Sequence, residues 1–283
     1  FHKGNHDFDK HGIKVNPKFD FKKMVSRKNQ VVEETRVGVS FLMKKNKITV
    51  FNGLGSLEGP NTVLVVKKEE SPVTLTAKNI VLATGSKPNN LPSIELDKKR
   101  VITSTEALAL KECPKNLIVI GGGAIGLEMG SVFARLGSKI KLFDFADSIL
   151  SSMDSSLGRE LKKVLSRDLG FEFHLSHKVQ SVKTKGKTVE VLVESKDGKI
   201  NKFSAEYCLV SVGRKAYTDG LGLEKVSIKT DDDGNKYWRV TFNVNECVQT
   251  GFDPDQFTCS TPTIYANLTN PNGAQSEEIS IQL

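Results

Sequence analysis

The stretch NLIVIGGGAIGLEMGSVFARLGSKIKLFD, residues 116–144, decides the fold. An apolar run at 117–120 enters a glycine cluster, a segment with helical spacing follows, and a second apolar run ends on Asp144. Apolar runs bounded by glycine are typical of buried strands, and apolar residues three to four apart are typical of a helix that packs on a sheet. The order predicts a strand, a tight turn, a helix and a second strand, which is the core unit of an α/β protein.

The glycines and the acid of this unit each have a chemical reason. Gly121 allows a tight turn out of the strand, Gly123 lets the backbone approach a pyrophosphate, and Gly126 lets the helix pack close to the sheet. The pyrophosphate would lie at the helix N-terminus, where free N–H groups and the helix dipole favour anions. Asp144, 18 residues after Gly126, stands where a carboxylate accepts hydrogen bonds from both ribose hydroxyls. The unit predicts a dinucleotide site that prefers NAD to NADP; the alternative is a glycine-rich turn between core elements.

Length and composition are typical of a globular protein of about two domains. The chain has 283 residues, of which 38% are hydrophobic and 26% charged. No apolar run approaches the ~20 residues that cross a bilayer, so no membrane partner is expected. The first residues have neither the apolar core of a signal peptide nor an amphipathic transit pattern. Four widely spaced cysteines without a CxxC pair indicate a reducing compartment, with no disulfide framework and no zinc or other metal site.

The net charge of +8 is concentrated near the N-terminus, where residues 1–50 hold 12 Lys or Arg against 5 Asp or Glu. A basic segment of this kind can bind nucleic acid or an acidic partner. Here the basic residues are interleaved with apolar ones at helical spacing, which favours a solvated helix face. No known nucleic-acid module accompanies them, so no nucleic-acid partner is expected.

Further helices and strands are predicted around the central unit. The predicted helices are 20–45, 104–110 with Thr103 as its cap, and 155–169. The predicted strands lie within 47–66 and at 80–83, 171–175, 189–193 and 207–212. The polar stretch 90–100 is typical of a domain boundary. Beyond about residue 230 the pattern loosens, and from 251 the chain is polar without sustained periodicity.

Several segments together resemble the flavin-dependent pyridine nucleotide–disulfide oxidoreductases, and within that family the dihydrolipoamide dehydrogenases. The segments that carry the resemblance are HKGNHDFDKHGI, FNGLG, IVLATGSKP, VITSTEALAL, VIGGGAIGLEMGSVFARLGSKI, FADSIL, and LVSVGRK followed by LGLE. The resemblance implies a Rossmann-like NAD-binding domain inserted in an FAD-binding domain. Residues 1–103 are similar to the latter part of the FAD domain, 104–231 to the NAD domain, and 232–283 to a partial, divergent central-domain segment.

The resemblance also implies an activity and a set of site residues. Members of this family oxidise a dihydrolipoyl dithiol through a redox-active disulfide and FAD, with NAD as the acceptor. The implied NAD residues are Gly121, Gly122, Gly123, Ala124, Ile125, Gly126, Leu127, Glu128, Asp144, Val179 and Gly213. The implied FAD residues are Gly55, Thr84, Gly85 and Ser86. Glu128 also matches a carboxylate that pairs with a lysine beside the flavin.

Other family features are missing from the sequence. It has no flavin-side GxGxxG, no CxxxxC redox pair, no lysine to pair with Glu128, and no His–Glu catalytic pair at the family's position. We therefore expect a chain truncated at both ends that contains no catalytic residues, binds NAD, binds FAD weakly or not at all, and is inactive alone. Two alternatives are an inactive NAD-binding or regulatory protein, and a related flavoprotein reductase with another disulfide substrate.

The resemblance implies partners and a location as well. Dihydrolipoamide dehydrogenases act on a lipoyl-bearing acyltransferase or on the glycine-cleavage carrier protein, and they are homodimers. The interface domain of that homodimer has no counterpart in this sequence. The implied location is the mitochondrial matrix in a eukaryote and the cytoplasm in a bacterium.

Overall fold

The computed structural model describes residues 1–228 and three short strands further along the chain. The helices are α1 (His2–His6), α2 (Phe21–Lys45), α3 (Ser104–Ala107), α4 (Ala124–Arg135) and α5 (Ser155–Leu169). The strands are β1 (Leu54–Gly59), β2 (Thr62–Val66), β3 (Val73–Thr76), β4 (Ser86–Pro88), β5 (Val101–Ile102), β6 (Asn116–Ile120), β7 (Lys139–Phe143), β8 (Glu172–His174), β9 (Lys178–Lys185), β10 (Thr188–Glu194), β11 (Ile200–Ala205), β12 (Tyr207–Val210), β13 (Arg214–Ala216), β14 (Val240–Thr241), β15 (Thr263–Leu268) and β16 (Ile279–Gln282). Apart from β14 to β16, the segment 232–283 lies outside the described residues.

A five-stranded parallel sheet forms the centre of the fold, in the order β5-β12-β6-β7-β8. Helix α4 connects β6 to β7, as the sequence predicts, and α5 connects β7 to β8. Helix α5 begins after Asp154, whose carboxylate accepts a hydrogen bond from Ser156 N at 2.7 Å. It ends at Gly170 in the left-handed conformation. Because all five strands are parallel, their carboxyl ends meet at one edge of the sheet.

Two cores lie on opposite faces of this sheet, since successive side chains of a strand point to opposite sides. Leu117 and Val119 of β6 belong to the core that α4 and α5 cover, together with Phe133 and Leu165. Ile118 and Ile120 belong to the other core, with Val189, Val191 and Val193 of β10. That second face is covered by the antiparallel sheet β9–β10–β11. The unit thus has three layers, helices, parallel sheet and antiparallel sheet.

The first 88 residues form the long helix α2 and small sheets. Helix α2 has 25 residues, and the Asp20 carboxylate caps it by accepting a hydrogen bond from Lys23 N at 3.0 Å. Lys28 Nζ donates to Leu108 O at 2.9 Å and so ties α2 to the segment after α3. Strands β1, β2 and β3 form an antiparallel sheet, while β4 pairs with β13. No helix in the described part of the chain is both long and apolar enough to cross a membrane.

Two of the predicted local features are wrong. Residues 80–83 are not a strand: Val81 is 86% exposed, and strands form on either side, at β3 and β4. An apolar run becomes a strand only beside another strand that accepts its backbone hydrogen bonds, and the described residues place none there. Helix α3 was predicted over residues 104–110 but ends at Ala107. Strands β9 and β11 were not predicted, because polar residues occupy many of their positions.

The polar stretch before α3 packs on the three-layer unit. Ile94 is 2% exposed and forms a bridge with Val182 of β9. Strand β5 belongs to the parallel sheet through its pairing with β12. Helix α3 begins after Thr103, which forms a capping box with Glu106, as the sequence predicts. The division of the chain at 103/104 stays a prediction, although the parallel sheet already includes residues before it.

Asp97 organises this stretch through four hydrogen bonds. Its Oδ1 accepts from the backbone N–H groups of Lys99, Arg100 and Val101, each at 2.8 Å, and its Oδ2 accepts from Thr184 Oγ1 at 2.6 Å. Burial raises the pKa of the carboxyl, but these bonds to the charged form outweigh burial and lower the pKa to about 2. The carboxylate therefore joins the loop before β5 to β9.

Asp97→Ala should lower the free energy of unfolding at neutral pH by about 1–3 kcal/mol, because three backbone N–H groups lose their acceptor. The folded pKa lies below the reference value of 3.8, so this stabilisation is present above pH 3.8 and is lost as the pH falls toward 2. Urea denaturation at neutral pH and at about pH 3 should therefore show a smaller loss on acidification in the variant than in the wild type. Glu95→Gln, at an exposed acid of the same loop, is the control; an equal acid sensitivity of wild type and Asp97→Ala would contradict the assignment.

Candidate functional site

A cavity of about 550 Å³ lies at the carboxyl edge of the parallel sheet, where β6, β7 and β12 end. Ligands of open α/β sheets bind at this edge. Five residues predicted from the sequence line the cavity: Gly121, Gly123, Asp144, Val179 and Gly213. They come from four separate segments of the chain, so the fold gathers what the sequence shows only as scattered positions.

The turn out of β6 requires glycine at two points. Gly121 has φ +105°, and a Cβ there would lie 2.4 Å from Ser211 O. A Cβ at Gly126 would lie 2.2 Å from Gly121 O, so helix α4 packs directly against the turn. Ser211 Oγ donates to Ile120 O at 2.9 Å and fixes the neighbouring strand end. The reasons given for Gly121 and Gly126 from the sequence agree with this geometry.

Gly123 differs from these two glycines because it faces open space. A Cβ at this position would meet no protein atom within 4 Å, and Gly123 lines the cavity. It is also the N-cap of α4, and no side chain caps the helix there. The first N–H groups of a helix have no partner within the helix. A cradle without side chains at a helix N-terminus fits the pyrophosphate of a dinucleotide.

The Asp144 carboxylate is held by the backbone at the end of β7. Its Oδ2 accepts from Gly122 N at 2.5 Å, and its Oδ1 accepts from Ala146 N at 2.8 Å. The carboxylate thus joins the glycine turn to the loop that follows β7. Each carboxylate oxygen can accept more than one hydrogen bond, so acceptor capacity for ribose hydroxyls remains.

The other residues predicted at positions 122–128 do not line the cavity. Gly122 is buried, and a Cβ there would lie 2.9 Å from Ile149 Cγ2. Leu127 is a core residue of the helical face, and Ile125 is half-buried. Ala124 and Glu128 are exposed on α4. The cofactor contacts predicted for these residues stay predictions, as does the flavin-side role of Glu128.

Nine of the residues that line the cavity were not predicted as site residues, among them Phe145, His177 and Lys178. His177 Nδ1 is 2.6 Å from Leu175 O, and its backbone N donates to Asp144 O at 2.8 Å. The strand end at Asp144 could have indicated Phe145, since the next residue of a Rossmann-like unit enters the same edge. For His177 and Lys178 the sequence held no signal, because their place depends on distant partners: His177 N bonds to Asp144 O, and Lys178 begins β9, which pairs with β10.

His174 does not line the cavity but packs against Phe143, which does. Its ring stacks on Phe143 with centroids 4.6 Å apart. Burial lowers the pKa of His174, and the neighbouring His177 and Lys141 lower it further. The stacking on Phe143 and the lowered pKa indicate a structural role for this imidazole.

Two of the four predicted flavin-side residues lie at a second, smaller cavity. Gly55 and Thr84 line a cavity of about 180 Å³ with the apolar side chains of Leu57, Val63 and Leu82. Thr84 Oγ1 donates to Tyr217 O at 2.8 Å. The volume is below the ~300 Å³ at which ligand pockets usually begin, so the described residues do not enclose a whole flavin nucleotide.

Gly85 and Ser86 of the same turn do not line that cavity. Gly85 has φ +72° and accepts a hydrogen bond from Tyr217 N at 3.0 Å. Ser86 Oγ accepts from Arg214 Nε at 2.7 Å. Hydrogen bonds therefore attach the turn at residues 84–86 to the segment that follows Gly213, a residue of the dinucleotide cavity.

Neither described cysteine is suited to thiol chemistry. Cys208 is fully buried in β12, and burial raises its pKa strongly. Cys113 is half-buried, 3.6 Å from Ser138 Oγ, and burial raises its pKa as well. A raised pKa disfavours the thiolate, which is the nucleophile in disulfide exchange. Cys247 and Cys259 lie outside the described residues.

Comparison with known proteins identifies the relatives of this chain. The sequence profile of the pyridine nucleotide-disulphide oxidoreductases matches residues 5–258. The mitochondrial dihydrolipoyl dehydrogenase of Pisum sativum is 38% identical over 247 residues, which are 87% of this chain and 49% of that protein. Dihydrolipoyl dehydrogenase 3 of Pseudomonas putida is 39% identical over 224 residues, which are 79% of this chain and 48% of that protein.

A solved structure agrees with these sequence matches. The HOCl-induced flavoprotein disulfide reductase of Escherichia coli, in its Cu(II) complex, has a TM-score of 0.65 at 26% identity. The match covers 83% of this chain and 51% of that one. The chain spans about half the length of the curated relatives it matches. The predicted fold class, a Rossmann-like α/β unit of the flavoprotein disulfide reductase type, is confirmed. From sequence and fold alike, the chain belongs to the pyridine nucleotide-disulphide oxidoreductase family.

Proposed function

We propose that this chain carries the NAD(H) site of a dihydrolipoyl dehydrogenase, a flavoprotein that oxidises protein-bound dihydrolipoyl groups with NAD⁺ as acceptor. The observation that carries the proposal is the 550 Å³ cavity, lined by Gly121, Gly123, Asp144, Val179 and Gly213 at the carboxyl edge of the sheet. The substrate is taken from the relatives of Pisum sativum and Pseudomonas putida, both named dihydrolipoyl dehydrogenases.

Each part of the cavity has a task in binding the dinucleotide. The free N–H groups at the start of α4 bind the pyrophosphate, and Gly123 leaves room for its approach. Asp144 accepts hydrogen bonds from the adenosine ribose and repels a 2′-phosphate, which favours NAD(H) over NADP(H). Gly213 lies toward the nicotinamide end. When bound, the nicotinamide supplies hydride chemistry; the residues of this chain orient it and exclude water.

Tight binding of the flavin is not part of the function proposed for this chain alone. The described residues around Gly55 and Thr84 enclose about 180 Å³, less than a flavin nucleotide needs. The described thiols lie apart from both cavities and have raised pKa values. We therefore propose that this chain by itself binds NAD(H), binds FAD weakly or not at all, and does not oxidise dithiols.

For the whole protein, the same proposal implies a dithiol-bearing partner, an oligomeric state and a location. A lipoyl-bearing acyltransferase or the glycine-cleavage carrier protein would supply the dithiol, and the active protein would be a homodimer. Its place would be the mitochondrial matrix in a eukaryote or the cytoplasm in a bacterium, since the relatives include proteins of both kinds.

A second candidate is a flavoprotein reductase with a different disulfide substrate. It is favoured by the structural likeness to the Escherichia coli disulfide reductase, at a TM-score of 0.65. The NAD(H) site would be the same in both cases. The two candidates differ in the dithiol that the whole protein accepts, which a comparison of dihydrolipoamide with other dithiols would separate.

Titration of the purified chain with NADH should give saturable binding, followed through the fluorescence of the reduced nicotinamide. NADPH should bind more weakly, because the carboxylate of Asp144 faces the position of the 2′-phosphate. Circular dichroism of the same sample checks that the protein is folded. A folded protein that binds neither nucleotide would refute the proposal.

A further inference from the structure

His174 of β8 is a half-buried imidazole that packs between aromatic rings. It stacks on Phe143, and its centroid lies 5.3 Å from that of Phe203. Its Nε2 atom is buried and has no hydrogen-bond partner among the residues that the structure describes. A neutral imidazole carries a hydrogen on one ring nitrogen, whereas the charged form carries one on both. The surroundings of Nε2 therefore suit the uncharged ring, although the face of Phe143 offsets part of the cost of a charge.

The groups around His174 also disfavour a proton on the ring. Burial lowers the pKa of His174 most, and the nearby His177 and Lys141 lower it further, while Glu172 raises it. The Glu172 carboxylate lies 4.0 Å from Nε2, beyond hydrogen-bond distance, and it already forms an ion pair with Lys141. From β11, the ring of Phe203 faces the cluster and carries no charge. No carboxylate is therefore free to stabilise a charged His174.

His174 is connected to the dinucleotide cavity through its ring and through its backbone. Phe143 and His177 both line the cavity, and the ring of His177 lies 5.6 Å from that of His174. His174 O accepts a hydrogen bond from Asp144 N at 3.0 Å, and Asp144 O accepts one from His177 N at 2.8 Å. The end of β8 thus holds the strand end that carries the Asp144 carboxylate. Movement of the His174 ring would disturb this edge of the cavity.

We propose that His174 is a positioning residue that fixes the β7–β8 edge of the cavity only while its ring is uncharged. A proton on the ring leaves a buried N–H group without an acceptor. The ring then leaves Phe143 or competes with Lys141 for Glu172, and the edge loosens. Both the stability of the fold and the affinity for NADH fall on acidification. The effect on NADH rests on the proposed function, whereas the effect on stability does not.

The direction of the pH effect follows from the lowered pKa of His174. The ordinary pKa of 6.5 applies to the unfolded chain, so the unfolded chain takes up the proton more readily than the folded protein does. The stabilisation is therefore fully present well above pH 6.5 and is lost as the pH falls from 6.5 toward the folded value. Over that interval the unfolding constant should rise by up to about tenfold for each pH unit.

Urea denaturation at about pH 7.5 and about pH 5.5 tests the effect on stability in two variants. His174→Phe keeps a ring on Phe143 but cannot take up a proton, so it should lose less stability than the wild type at the lower pH. His174→Gln removes the stack as well, so it should be less stable at both pH values and also lose less on acidification. A role in packing alone would leave the wild-type pH dependence in both variants. His11→Gln, at an exposed histidine outside this cluster, is the control and should keep the wild-type loss.

The ring of His174 can also be followed directly by NMR. Its Cε1–H resonance, assigned by its absence from the spectrum of His174→Phe, should titrate with a midpoint below pH 6.5. A midpoint at or above 6.5, or equal acid sensitivity of the wild type and His174→Phe, would overturn the inference.

Titration with NADH at the same two pH values tests the positioning role. The Kd for NADH should rise about threefold or more on acidification in the wild type and stay nearly constant in His174→Phe, since binding favours the uncharged ring. A wild type that loses stability on acidification without any change in this Kd would exclude the positioning role. If a folded wild type binds no NADH at either pH, the proposed function fails, and the NMR midpoint and the denaturation data decide whether His174 fixes the edge.

Discussion

Gly123→Ala should remove most NADH binding from a protein that stays folded, whereas Gly126→Ala should disrupt the fold itself. At Gly126 a Cβ would lie 2.2 Å from the carbonyl oxygen of Gly121, so helix α4 would have to move off the turn. We expect a loss of about 3 kcal/mol or more in the free energy of unfolding, as for overpacking against rigid backbone. A Cβ added at Gly123 would meet nothing within 4 Å, and the backbone has φ −77°, which alanine adopts freely.

The loss of stability in Gly123→Ala should stay below about 1 kcal/mol, since only a glycine N-cap is replaced. The new methyl group points into the space proposed for the pyrophosphate, so the Kd for NADH should rise about tenfold or more, the equivalent of ~1.4 kcal/mol. Urea denaturation and NADH titration of both variants separate the two effects. Gly38→Ala is the control for a glycine substitution away from the cavity, because Gly38 is exposed on α2 and a Cβ there would meet no atom within 4 Å. A Gly123→Ala variant that is stable and binds NADH normally would exclude this edge as the pyrophosphate site.

The sequence predicted the parts of this fold in which local pattern and tertiary packing agree. In the unit 116–144, each apolar run is long enough for one buried strand, and glycines mark where the chain turns. Helix α5 was predicted at its observed bounds because Asp154 and Gly170 cap its two ends. Such capping residues and apolar runs lie within a few residues of the element that they define. The element can therefore be predicted without knowing which strands it will contact.

Features that depend on distant partners could not be predicted in this way. Residues 80–83 have a strand composition, but the described structure gives them no strand to pair with. Strand β9 has few apolar residues and forms because β10 pairs with it along its length. Val179 was placed at the site through family resemblance alone, and its position on the cavity depends on that same pairing. His177 and Lys178, beside it, were missed for the same reason.

Asp144→Ala should both weaken NADH binding and destabilise the fold, because the same carboxylate is proposed to bind the ribose and also accepts hydrogen bonds from the backbone. Its two oxygens accept hydrogen bonds from Gly122 N and Ala146 N, and the Gly122 backbone is buried. Removing the acceptor leaves that N–H unpaired, at a cost of about 1–3 kcal/mol in the free energy of unfolding. Loss of the hydrogen bonds to the ribose should raise the Kd for NADH about tenfold or more, since bonds to a charged group contribute ~1.5–3 kcal/mol.

The response to NADPH separates these two tasks of the carboxylate. A turn that is merely loosened would bind NADH and NADPH less well in equal measure. Loss of the negative charge beside the 2′-position should instead weaken NADH and relieve the repulsion of the 2′-phosphate, so the ratio of the two Kd values moves toward one. Asp147→Ala removes an exposed carboxylate three residues further on and should leave both the ratio and the stability unchanged. Asp144→Asn keeps one acceptor oxygen for the backbone while it removes the charge, so it should recover part of the stability but none of the discrimination against NADPH. An Asp144→Ala variant that keeps the wild-type preference for NADH would show that the preference arises elsewhere in the cavity, where Lys178 is the next charged group on its wall.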